Sequence, residues 1–197
     1  MKRTFLLIGT LLLTAGSAFA YSMPRWGMTS VDVYLPEHQY SDMVRSTFEE
    51  WADASGNRMR FRFASTRFAS TNAPIKVEFV DQKAPFYLTR SKRNETTGYF
   101  TNMDQGFINR ATLTIHTKDK ENKTPNQTDL KGQIRADVGY ILGLTKIYGD
   151  CKQANTRSAM CIPNDGAYSS ITDKDIEEIT KKYDRSNDDI KERKHKK

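Results

Sequence analysis

Residues 128–144 constrain this chain more than any other stretch. Leu130, Ile134, Val138 and Ile141 recur at i, i+4, i+8 and i+11, the spacing of one α-helix face, with Leu142 beside the last. Thr128 or Asp129 is placed to cap the start, and Gly143 to end the helix in a left-handed turn. A second face carries Gln133, Ala136, Asp137 and Tyr140 at i, i+3, i+4 and i+7. What that face does is the functional question.

The remaining elements are read from alternation and punctuation. Residues 29–35 alternate apolar and polar side chains as a strand does, and Pro36 stops them. Ser41 and Asp42 then cap a helix whose apolar side is Met43, Val44, Thr47, Phe48 and Trp51, ended by Gly56 and Asn57. Residues 59–63 and 75–80 read as strands around a Ser/Thr/Ala-rich loop at 64–73. A polar, basic connection follows over 81–97, then a short strand at 98–100, a firmly alternating one at 111–115 and a charged loop at 118–128. Thr172 to Asp175 has the form of a capping box, and Ile176, Ile179 and Tyr183 begin an apolar helix face. This order predicts one α/β domain built on a single twisted sheet.

The first twenty residues read as a secretory leader: Lys2 and Arg3, an apolar run from Phe5 to Leu13, and small residues up to Ala20. The expected mature chain starts at Tyr21, is secreted or periplasmic/extracellular, and has no transmembrane segment, since no later run approaches the ~20 apolar residues a span needs. Its domain covers 21–183, and 184–197 form a charged basic tail. Without Lys2 and Arg3, 29 basic residues face 24 acidic ones, a balance of +5. Residues 181–197 hold eight basic and four acidic residues, so +4 of that +5 lies in the tail and the body is nearly neutral. That argues against a nucleic-acid groove, which would spread basic and aromatic residues through the fold. The tail reads as a solvated end or as a surface for anionic polymers or lipids. Cys151 and Cys161 are the only cysteines, and in an exported chain a disulfide between them is the favoured reading. Three N-x-T sequons stand at Asn94, Asn122 and Asn126.

Five features, taken in order over residues 30–183, resemble the matrixin branch of the metzincin zinc peptidases. They are Val33-Tyr34 with Val44, Phe48 and Trp51; Gly98-Tyr99 with the strand ending at Ile115; Val138-Gly139 with Ile141 to Leu144; Ser158-Ala-Met160 before Pro163; and the helix entry 171–176. The resemblance implies a metzincin-like fold, one twisted mixed sheet with three main helices, and a Met-turn at Met160 flooring the site. It also implies zinc peptidase chemistry, through the motif H-E-x-x-H-x-x-G-x-x-H, in which three His hold the metal and the Glu activates its water.

Laid on Gly143, the three ligand positions of that motif fall on Ala136, Tyr140 and Lys146, and the catalytic Glu on Asp137. Ala136 has no donor atom, Tyr140 is a poor neutral-pH ligand, and Lys146 places an ammonium where a cation belongs. No His occurs between 117 and 194, and His38 and His116 lie in other elements. The sequence therefore predicts a pseudopeptidase without a cofactor, binding a protein or an extended peptide by strand addition. Two other readings remain open. One is an atypical zinc-dependent metalloendopeptidase using Asp137, Tyr140 or His116. The other is an interaction protein that works through its tail or its 81–97 connection.

Overall fold

The computed structural model describes residues 24–85, 96–145, 147–148, 158–162 and 170–184. Within them the chain forms a mixed α/β fold on a largely parallel sheet. Strand β2 (Ser30–Tyr34) leads through helix α1 (Ser41–Ala54) to β3 (Arg60–Ala64), which pairs with β2 in parallel. A parallel neighbour needs such a crossover, because a tight turn cannot return the chain in the same direction. Short helix α2 (Arg67–Asn72) then leads to β4 (Ile75–Lys83) on the other side of β2.

Strand β5 (Thr97–Asp104) and strand β6 (Phe107–Lys118) form an antiparallel hairpin, and β6 also pairs in parallel with β4. A two-residue N-terminal strand, β1 (Arg25–Trp26), pairs with Phe107 and Ile108 of β6. Gln105 and Gly106, at φ +48 and +83, make the hairpin turn, both residues in the left-handed region that a type I′ turn requires. Between Asn102 and Met103 the pairing slips by one residue, which brings Met103 opposite Ile108. Among the described strands β5 pairs only with β6, which makes it an edge strand of this sheet.

Helix α3 (Gln127–Ile141) and α1 pack together on one side of the sheet. The expected apolar stripe of α3 is fully buried, with Leu130, Ile134, Val138 and Ile141 at 0 % exposure. The start of α3 differs from expectation in its cap, which is Asn126, its Oδ1 accepting from Thr128 N at 2.8 Å. Its end is as anticipated. Gly143 has φ +84, Gly143 N donates to Tyr140 O and Leu144 N to Gly139 O, a Schellman closure. A side chain there would also collide with the carbonyl of Pro24. The last helix, α4 (Asp173–Tyr183), starts at the anticipated box, with the Asp175 carboxylate accepting from Thr172 N and Oγ1. Two short strands, β7 (Ile147–Tyr148) and β8 (Cys161–Ile162), pair in parallel.

Three expectations need correction. The loop expected at 64–73 contains α2, nucleated where Thr66 Oγ1 accepts from Ala69 N. The expected short strand at 98–100 is eight residues long, because backbone pairing with β6 runs on from Phe100 to Asp104. α2 therefore joins α1, α3 and α4 as a fourth helix.

Candidate functional site

The second face of α3 does not look into open solvent. It is covered by Thr96 and the first residues of β5. Gln133 Oε1 accepts from Thr96 N at 2.7 Å and from Thr96 Oγ1 at 3.3 Å. One turn on, Asp137 Oδ2 accepts from Thr97 Oγ1 at 2.6 Å. Three residues further, the Tyr140 ring lies 4.1 Å from the Tyr99 ring, tilted by 35°. Gln133, Ala136 and Asp137 are all buried, and Tyr140 is half-buried. Helix spacing and strand spacing thus run in step, and each polar side chain on the face finds an acceptor or donor where a buried group requires one.

Met160 sits under this helix. A Cβ on Gly139 would collide with Met160 Sδ and with the Trp51 indole, so the helix carries glycine where those side chains press against it. The turn before Met160 is held by a buried carboxylate. Asp175 accepts from Ser158 Oγ, from Ala159 N at 3.0 Å, and from Thr172 at the start of α4. Asp175 is 1 % exposed, and four donors are what allow a carboxylate to stay there.

The N-terminal strand locks the far end of α3. Trp26 Nε1 donates to Ile141 O at 3.0 Å, and Tyr183 OH donates to Leu142 O at 2.8 Å. These are terminal carbonyls that the helix itself leaves without partners. Burial pushes the Tyr183 hydroxyl well above the ordinary phenol range, so it remains a donor. Beside it, Arg25 Nη1 donates to Lys182 O, and Lys182 Nζ donates to Pro24 O at 3.3 Å. Burial brings the Lys182 ammonium down to about 8, with Glu178 opposing the shift and Arg25 adding to it. Between this corner and the hairpin lies a pocket of about 130 Å³, lined by Pro24, Thr101, Met103, Ile108, Tyr140 and Leu144.

The anticipated site residues are thus partly brought together. Ala136, Asp137, Tyr140 and Met160 converge around α3. Lys146 and Cys151 lie outside the described residues, as do residues 1–20, where a leader is expected, the residues beyond 184 and Asn94. Cys161 is buried at 3 % exposure. Neither histidine joins the face. His38 stacks on Phe79 at 4.1 Å and accepts from Tyr40 N. His116 follows Ile115, whose side chain is in the core and whose strand partner is Thr97. Alternation along β6 therefore sends His116 to the opposite side of the sheet from Asp137.

Zinc does not fit this face. Ala136 offers no donor, Asp137 is engaged with Thr97, and Tyr140 lies against Tyr99. Among the described residues no group of three or more His, Cys, Asp or Glu side chains is arranged to hold a metal ion. Thr96 and Thr97, which close the face, fall within the irregular connection that the sequence predicts. The alternation Thr97, Tyr99, Thr101 is the signal that β5 starts there.

No protein-family model matches the chain, and no curated protein sequence matches it. Function therefore rests on the site itself. Among the described residues no helix is long and apolar enough to cross a membrane.

Proposed function

We propose that this chain is an exported protein of the matrixin-like metallopeptidase fold whose zinc ligands are replaced. Its role is to bind a protein or extended peptide without cleaving it. The observation that carries this reading is the pairing of Asp137 with Thr97 on the face where the resemblance would put a metal. Support for the fold comes from the placement of the matched residues: Gly143 closes the helix, and Met160 lies beneath Gly139. Support for binding comes from the outer edge of β5, a strand that pairs only with β6 among the described strands, beside the pocket at Met103 and Tyr140. An added strand would take its backbone hydrogen bonds from that edge and place one apolar side chain in the pocket. A Cys151–Cys161 bridge would tie the segment before the Met160 turn in place of a metal.

The test is metal content of the chain from Tyr21, purified without chelator and without a His tag, together with hydrolysis of general protease substrates. Near-zero zinc and no cleavage are expected. One zinc per chain with chelator-sensitive cleavage would overturn the reading in favour of an atypical metalloendopeptidase. Selection from a random peptide library is expected to return apolar-containing sequences that bind the parent and lose affinity for Met103→Asp.

A further inference from the structure

Strand β5 runs on past the end of the helix it packs against. Alternate side chains of β5 face α3, where Thr97 meets Asp137 and Tyr99 meets Tyr140. The chain leaves the helix at Gly143, so the next side chain in that series, Thr101, faces a pocket instead of a helix turn. Pro24, Met103, Ile108, Tyr140 and Leu144 wall the pocket, and every described residue that lines it is uncharged. Pro24 is fixed in place by Lys182, whose Nζ donates to its carbonyl at 3.3 Å. The volume, about 130 Å³, is close to the ~150 Å³ of a protein cavity that takes one benzene ring.

The same residue offers its backbone outward. Ala111 N donates to Pro74 O at 2.9 Å, towards β4, while His116 N donates to Thr96 O at 2.7 Å, towards β5. Backbone direction alternates along β6 between these two points. Thr101, opposite Ala111, therefore forms with it a pair without mutual hydrogen bonds, and the Thr101 N–H and C=O point away from β6 to the outer edge. Phe100, one residue earlier, turns to the other face of the sheet, where its ring is 65 % exposed. At the single position of Thr101 a donor and an acceptor on a strand edge thus stand beside an apolar pocket.

On the peptide-binding reading, which this step requires, we infer that Thr101 anchors the bound peptide. One residue of an antiparallel peptide strand exchanges two hydrogen bonds with the Thr101 N–H and C=O. The same residue places an uncharged side chain, the size of leucine or phenylalanine, in the pocket. The next peptide residue then stands opposite Phe100 and covers its ring. A charged side chain at the anchor would be desolvated among uncharged walls without a partner, which selects against it. A small apolar molecule would fill the pocket but leave the Thr101 backbone pair and the Phe100 ring unused. The ligand is therefore an extended segment with a large aliphatic or aromatic residue at its anchor position.

The test titrates the chain from Tyr21, which retains every described element, with blocked heptapeptides of threonine that carry one variable central residue followed by valine. Binding is read by NMR from methyl-labelled methionines, the Met103 signal being the one lost in Met103→Leu. Leucine and phenylalanine at the variable position should bind roughly tenfold tighter than glycine or aspartate, and should shift the Met103 methyl. Thr101→Pro removes the outward N–H without touching the ladder to β6, and should weaken every peptide about fivefold. Thr101→Phe keeps that N–H, suits a strand and fills the pocket from its wall, so it should abolish the preference among the peptides. Equal affinities for all of them, still weakened by Thr101→Pro, would overturn the anchor and leave strand addition standing. So would a Met103 methyl that bound phenylalanine peptide leaves unmoved, or a preference that survives in Thr101→Phe. Undiminished binding to a folded Thr101→Pro would overturn the register. No binding by any peptide would overturn strand addition itself, and the anchor with it.

Discussion

Thr97 Oγ1 reaches across 40 residues of sequence to donate to Asp137 Oδ2 at 2.6 Å, and the carboxylate it meets is 3 % exposed. A buried carboxylate that loses a donor keeps its desolvation cost. Thr97→Val should therefore destabilise the fold by about 1–3 kcal/mol, although valine suits a strand better than threonine. Asp137→Ala is expected to cost a similar amount. The double variant should cost less than the sum, with a coupling above about 0.5 kcal/mol. Urea unfolding of the four proteins measures it. Strict additivity would mean that the two groups do not support each other.

How much of this is legible in the sequence varies with range. The helix 127–141 and its glycine stop are readable because their signals are local: a 3.6-residue period and one residue at positive φ. The capping box at Thr172 and Asp175 is local too. Strand β1 is not readable, since two residues carry no period, and Trp26 gains its place from Ile141 O, Ile108 and Tyr183 OH, all far along the chain. The site is half legible. Spacing alone puts Ala136, Asp137 and Tyr140 on one face, whereas what covers that face is a tertiary fact about Thr96, Thr97 and Tyr99.

Gly139 offers a sharper test of the helix floor. In an isolated helix, Gly→Ala is stabilising by up to about 1 kcal/mol. Here the new methyl would meet Met160 and Trp51, so Gly139→Ala should instead destabilise by about 1–3 kcal/mol. Gly139→Ala with Met160→Ala should be milder than the sum of the two single changes, because truncating Met160 makes room for the methyl. Thermal melting of the three variants checks both signs.

Glu50 joins α1 to α3 through Lys131 and Arg135, at 2.7 and 2.8 Å. Burial opposes its charge, but the hydrogen bonds and charges of Arg135 and Lys131 outweigh this and hold its pKa below the ordinary glutamate value. A depressed carboxylate pKa contributes stability above the unfolded value, and that contribution disappears as pH falls through the folded one. Glu50→Gln should thus cost about 1 kcal/mol at neutral pH. The gap from the parent should close as the pH drops below about 4.3, the unperturbed glutamate value. Denaturant midpoints measured across that range give the answer, and a gap independent of pH would locate its cause in packing.

Lys182 and Tyr183 titrate with opposite consequences at the clasp around β1. The Lys182 ammonium is brought to about 8 from 10.5, so between those values the unfolded chain holds the extra proton and stability rises with pH. Tyr183 is raised from 10.0, so above that value the unfolded chain loses its proton first and stability falls. The corner should therefore contribute a rise from about pH 8 and a fall beyond about pH 10. Lys182→Met removes the buried ammonium while keeping much of the stem, and it should flatten the rise. Tyr183→Phe leaves Leu142 O without its donor and should lower stability throughout, but it should keep the rise and blunt the fall. Urea midpoints from pH 7 to 11 for the parent and both variants separate the two effects. A rise that survives intact in Lys182→Met would mean that the clasp around Pro24 does not set this alkaline response.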